Sequence, residues 1–131
     1  MMTGYSAKEI VQKWVEVWQE GDLAQIDEIF VPDYTVNGNA IGVAGVKRAV
    51  EMFHNALSEM SIELNEMISE GNKIAVRWTV QGIHTGSFLG VLPSGNPLTL
   101  TGINIYQVAD GKIVANHEQT SIPELLLTLR K

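Results

Sequence analysis

Apolar residues recur at spacings of three and four through roughly the first 60 positions, and from residue 61 the spacing shortens to two. The first regime predicts helices and the second predicts strands. Ser6 followed by Glu9 is a capping box, after which Ile10, Val11, Trp14, Val15, Val17 and Trp18 mark one face of a helix over about 6–20. Gly21 can take the left-handed conformation that stops it. Asp22 with Gln25 opens a shorter second helix with the face Leu23, Ile26, Ile29 and Phe30, ended by Pro32. An extended piece around Tyr34 to Asn37 and a Gly-rich stretch then lead into a third helix, with Val46, Ala49, Val50, Phe53, Ala56, Leu57 and Met60 on its buried face. Four strands follow at about 61–70, 73–86, 97–109 and 112–121, separated by Gly71-Asn72, the longer loop Gly90 to Pro97, and Asp110-Gly111. Three helices before an antiparallel meander predict an α+β fold, with the helices on one face of a strongly bent sheet and a small extra strand near Tyr34.

Composition narrows the function classes. The 131 residues, 45% of them apolar, are enough for one core, expected as a single domain over 1–131. Fifteen acidic against nine scattered basic residues, net −6, disfavour nucleic acid and anionic membranes as partners. Without cysteine there is no disulfide, thiolate metal site or cysteine nucleophile. No apolar run has the length of a membrane span, and the N-terminal residues lack the order of a signal peptide, so a cytoplasmic location is expected. Two motifs that suggest other chemistry fail on context. His117-Glu-Gln-Thr-Ser121 starts like a zinc-protease motif but ends in serine on a strand, and Gly90 to Gly95 has phosphate-loop spacing without the lysine or the helix. Neither a metal nor a cofactor is expected.

Several segments together resemble a known family: Trp18-Gln-Glu-Gly-Asp22, Pro32-Asp-Tyr34, Glu70-Gly-Asn-Lys-Ile-Ala-Val-Arg-Trp78, His84-Thr-Gly86, Gly90-Val-Leu-Pro-Ser-Gly95 and Asp110-Gly-Lys-Ile113. In order and spacing they are similar to the SnoaL-like polyketide cyclases of the nuclear transport factor two-like superfamily, and the likeness runs from Ser6 to Leu125-Leu-Leu127. The resemblance implies a cone-shaped (cystatin-like) α+β barrel enclosing a deep pocket, usually in a homodimer. It also implies cofactor-independent acid/base chemistry on a small apolar or aromatic molecule, such as ring closure, isomerisation or a lyase reaction. Counting from Asp110-Gly-Lys-Ile113 puts His117 where the family has tryptophan and Ser121 where it has its acid/base aspartate. Asn37 and Asn72 stand where many members have histidine and aspartate.

Candidate site residues follow from that frame. If the last strand turns the set Ala115, His117, Gln119 and Ser121 inward, as the family's aspartate position implies, His117 becomes the leading acid/base group, with Gln119 and Ser121 as ligand contacts. His84, at the end of a largely apolar strand, and Asp33, beside Tyr34, are the other catalytic candidates. Trp14, Tyr34, Phe53 and Trp78, with Trp18 and Tyr106, supply aromatic surface, and Asn37 and Asn104 complete the ligand-binding set. His54 is expected at the surface. Two function classes remain: an enzyme using His117, or a binding or carrier domain that kept the pocket and lost the family's base. The mixed face Thr79, Gln81, Ile83, Thr99, Thr101, Ile103 and Ile105 is the expected dimer contact.

Overall fold

Ser6, extended at φ −71° and ψ 162°, accepts the Glu9 N–H at 3.2 Å while Glu9 Oε1 accepts the Ser6 N–H at 3.0 Å, so both members of the capping box are present and α1 runs Ala7–Glu20. Gly21, at φ 74°, ends it with a bond from its N–H to the Val17 carbonyl. This computed structural model describes residues 5–129; residues 1–4 and 130–131 of the expected 1–131 domain lie outside the described residues.

The predicted second helix is shorter than expected, a 3-10 turn Leu23–Gln25 followed by α2, Ile26–Ile29. Phe30 already starts β1, Phe30–Val36, which contains Pro32. Pairing of β1 with β6 jumps from Phe30 to Thr35, so Pro32 occupies a stretch where no ladder N–H is demanded of it. The third helix is also displaced: α3 spans Gly42–Ala56, and β3, Leu57–Glu70, takes the four residues that helical spacing assigned to its end. Leu57 pairs with His84, and that tertiary pairing overrides a local pattern that suits either state.

Among the described residues the sheet has six strands in the order β2-β1-β6-β5-β4-β3, with β2 at Asn39–Ala40, β4 at Lys73–His84, β5 at Pro97–Ala109 and β6 at Lys112–Thr120. The four predicted strands are there, but the sheet is mixed, because β1 lies parallel to β6. Bulges in β3 and β6 bend it round the helices. The core forms on the concave side, where α1, α2 and α3 meet the inward residues of β4 (Ile74, Val76, Trp78, Val80) and of β5 (Leu98, Leu100, Tyr106, Val108). A fourth helix, α4 at Ile122–Leu129, was not foreseen; it follows β6 directly, and its Ile122 packs on the core.

One bulge decides the site. The Asp110-Gly111 hairpin, with φ of 51° and 80°, starts β6 in the register Ala109↔Lys112 and Val108↔Ile113. The next pair is Gln107↔Ala115, so Val114 is an extra residue, and beyond it every β6 side chain is on the face opposite to that expected from an uninterrupted period of two.

Candidate functional site

Partners across an antiparallel ladder share a face, so the inward residues of β5 identify those of β6. Asn104 pairs with Glu118, Tyr106 with Asn116 and Gly102 with Thr120. Asn116, Glu118 and Thr120 therefore join Trp14, Trp18, Tyr34, Phe53, Trp78, Asn104 and Tyr106 around a cavity of about 190 Å³. Its walls are mainly apolar, part aromatic and part aliphatic, with Trp18 edge-on to Trp78 at 5.1 Å and to Phe53 at 5.7 Å.

The polar groups in this wall form a buried network around Asn104 and a separate indole–phenol pair. Trp78 Nε1 donates to Asn104 Oδ1 at 2.5 Å, and Asn104 Nδ2 donates to Asn116 Oδ1 and to Glu118 Oε2, each at 3.1 Å. Trp14 Nε1 donates to the Tyr106 hydroxyl oxygen at 2.9 Å. Asn104 is only 3% exposed, so its amide is held from both ends in a site without water access to offset a lost bond. Glu118 is half-buried, and its Oε1 has no protein donor among the described residues. Both phenols are held well above their ordinary pKa. For Tyr34 the main cause is burial, with the Glu118 charge adding to it and an Asn116 hydrogen bond opposing it. For Tyr106 it is burial, then the influence of Tyr34 and Glu118, against the Trp14 bond. Tyr34 and Tyr106 are thus neutral at physiological pH.

The structure divides the expected site residues. It brings Trp14, Tyr34, Phe53, Trp78 and Asn104 to the cavity. The expected inward facing of His117, Gln119 and Ser121 is corrected: His117 and Gln119 are exposed on the outer face, and the Ser121 hydroxyl accepts the Thr101 N–H at 3.0 Å. The Val114 bulge is the reason. Asp33 is exposed on β1 and away from the cavity lining. His84 does not line the cavity either; it is fully buried, its Nδ1 accepts the Ser94 N–H at 3.2 Å, and it ties the 85–96 loop to β4, with Nε2 unpartnered among the described residues. Asn37 acts from behind the wall. At φ 51° its Oδ1 accepts the Glu118 N–H at 2.9 Å and its own N–H donates to the Asn116 carbonyl, fixing the main chain that carries Glu118. His54 is half-buried instead of superficial, its Nε2 2.7 Å from the Trp18 carbonyl oxygen at the end of α1.

Sequence reasoning missed Glu118, Asn116 and Thr120. Either face of β6 is polar, so composition offered no choice between them, and only the bulge makes it.

A sheet curled round an aromatic cavity, with helices across its concave side, defines the nuclear transport factor two-like class of α+β pocket folds. The sequence profile of the SnoaL-like polyketide cyclases matches residues 8–126, and the chain belongs to that family. Among solved structures it is similar to TsrD from Streptomyces laurentii, with a TM-score of 0.83 at 23% identity over 93% of this chain and 92% of that one. It is similar also to AclR from Streptomyces galilaeus, provisionally described as a hydroxylase, with a TM-score of 0.82 at 25% identity over 95% of each chain. A SnoaL-like polyketide cyclase from Agrobacterium tumefaciens gives a TM-score of 0.79 at 13% identity over 93% of this chain and 98% of that one. The first and third likenesses establish the fold alone. No curated protein matches the chain. Among the described residues no helix is long and apolar enough to cross a membrane.

Proposed function

We propose that the protein binds a small apolar or aromatic molecule in the aromatic cavity and moves a proton on it, with Glu118 as the acid/base group. The observation that carries this reading is a carboxylate in a mostly apolar wall, with Oε2 held by buried Asn104 and Oε1 without a protein partner among the described residues. A base needs that combination of a fixed orientation and a free oxygen within reach of the substrate. Glu118 takes the role that His117 has in the sequence expectation, and Asn104 and Asn37 act as positioning residues, one on the carboxylate and one on its main chain. The chemistry is of the cyclase, isomerase or lyase type that proton transfer at carbon serves. At about 190 Å³ the cavity is below the roughly 300–1,000 Å³ of pockets for drug-sized ligands, which favours molecules of one or two rings.

The test is hydrogen exchange in D₂O. Small aromatic ligands found by thermal shift are followed by proton NMR for loss of their C–H signals in the presence of protein. Glu118→Gln should slow exchange by roughly a hundredfold or more, with affinity changed little. Exchange that survives the substitution refutes the role of Glu118. Ligands that bind tightly and never exchange on the wild-type protein support the binding or carrier reading instead.

The working unit proposed is a homodimer formed through the outer sheet face, in a cytoplasmic setting. Ile103 and Ile105 are 52% and 46% exposed on that face, large apolar side chains whose burial against a second copy is favourable. Light scattering at micromolar concentration should give twice the chain mass, and a monomer there refutes the dimer.

A further inference from the structure

The cavity wall carries one carboxylate and no cation. Glu118 is half-buried, and among the described residues that line the cavity none is lysine, arginine or histidine. The ion pairs of the described residues, Lys13–Glu16, Lys47–Asp27 and Arg77–Glu66, leave Glu118 out. Asn104 Nδ2, a neutral donor, reaches only Oε2, at 3.1 Å. A carboxylate drawn partly out of water without a counter-charge is costly, and a positive charge supplied from outside relieves that cost. The rest of the wall suits such a charge. Trp14, Trp18, Tyr34, Phe53, Trp78 and Tyr106 all line the cavity, and aromatic rings attract cations through the negative potential of their faces, tryptophan most strongly. The net charge of −6 adds a long-range attraction for cations.

Hydrogen-bonding capacity decides which cation fits. Asn104 Oδ1, Asn116 Oδ1, the Tyr106 hydroxyl oxygen and Thr120 Oγ1 already accept from Trp78, Asn104, Trp14 and the Ile122 N–H in turn. Glu118 Oε1 and the Tyr34 hydroxyl then make at most two side-chain acceptors for the three N–H groups of a primary ammonium, and one is left unmet in a largely apolar site. A tertiary ammonium has a single N–H to place on Glu118 Oε1, and a quaternary one has none. We propose that this cavity also takes compact organic cations, tertiary or quaternary ammonium compounds of at most one ring, with Glu118 as counter-ion and the aromatic rings as cation–π walls. The proposal goes beyond the acid/base reading and shares only the carboxylate with it. A cation seated on Glu118 Oε1 blocks the oxygen that proton transfer needs. A dry cavity of about 150 Å³ holds benzene, so a volume of about 190 Å³ sets the limit near one ring with a small ammonium head.

The experiment pairs phenyltrimethylammonium with tert-butylbenzene, which has the same shape with carbon in place of the charged nitrogen. All three tryptophans of the chain line the cavity, so intrinsic fluorescence reports binding there, and calorimetry gives the affinities. The wild-type protein should bind the cation roughly tenfold tighter than the hydrocarbon. Glu118→Gln keeps the shape and removes the charge, and should weaken the cation by roughly tenfold or more while leaving tert-butylbenzene within about twofold. No binding of the cation, equal or tighter binding of the hydrocarbon to the wild-type protein, or a preference for the cation that survives Glu118→Gln overturns the proposal. The wild-type comparison requires no variant, so a substitution that fails to fold cannot obscure the result. Hydrogen exchange of neutral ligands that is lost in Glu118→Gln, with no preference for the cation, overturns the cation site and leaves the acid/base reading standing. A preference abolished by Glu118→Gln alongside unchanged exchange sustains the cation site and refutes the base.

Discussion

Gly102→Ala probes the whole network through a single methyl group. Gly102 is buried on β5 directly opposite Trp78, and a Cβ built there would overlap the indole at Cζ2, with Cε2 at 2.5 Å and Cη2 at 2.9 Å. The ring cannot yield backward, because Trp18 stands edge-on against it, so it has to swing into the cavity and release Asn104. Overpacking of this kind costs about 1–3 kcal/mol. A buried indole N–H left without its acceptor costs about 1–3 kcal/mol more. Against that, replacing glycine in a strand with alanine returns only about 0.5–1 kcal/mol through backbone entropy. The net expectation is a destabilisation of about 3 kcal/mol by urea denaturation, or a melting temperature lower by about 10 °C for a domain of this size. Binding of the small aromatic ligands found by thermal shift should fall at the same time, since the displaced ring fills cavity space and Glu118 loses its orientation. A variant within about 0.5 kcal/mol of wild type, with an unchanged near-ultraviolet spectrum, would refute the packing argument and with it the claim that Trp78 holds Asn104 in place.

Three further outcomes are expected. Tyr34 and Tyr106 have folded pKa values raised by burial, so the unfolded chain loses these protons first as pH climbs past 10, and stability present below that pH is lost above it. The slope should approach about 2.7 kcal/mol per pH unit for the two groups, and either Tyr→Phe substitution should reduce it to about half in urea titrations between pH 8 and 11.5. His84→Ala should cost about 2–4 kcal/mol by emptying a fully buried site and freeing the 85–96 loop, while affinity for the small aromatic ligands stays within about threefold; a large loss of affinity at unchanged stability would return His84 to the site. His117→Ala, on the outer face, should leave both stability, to about 0.5 kcal/mol, and ligand exchange unchanged, and a hundredfold loss of exchange would reverse the assignment of faces.

What the sequence determined by itself is the set of features that depend on neighbours along the chain. Ser6 and Glu9 cap α1 because their partners lie three residues apart, and Gly21 ends it because a residue without Cβ reaches φ 74° at little cost. The alternation on β5 already marks Leu98, Leu100, Tyr106 and Val108 as inward, and helical spacing does the same for Trp14, Trp18 and Phe53, which line the cavity. Tertiary structure alone decided the start of β3, where Leu57 suits a helix face as well as a strand until His84 pairs with it. It also decided the parallel placement of β1 beside β6, which no local pattern encodes. The extra residue at Val114 is the most consequential case. Both faces of β6 carry polar side chains, so burial of apolar surface does not choose between them within the strand. The choice is made by the ladder with β5, which sets Asn104 across from Glu118 and turns His117 outward.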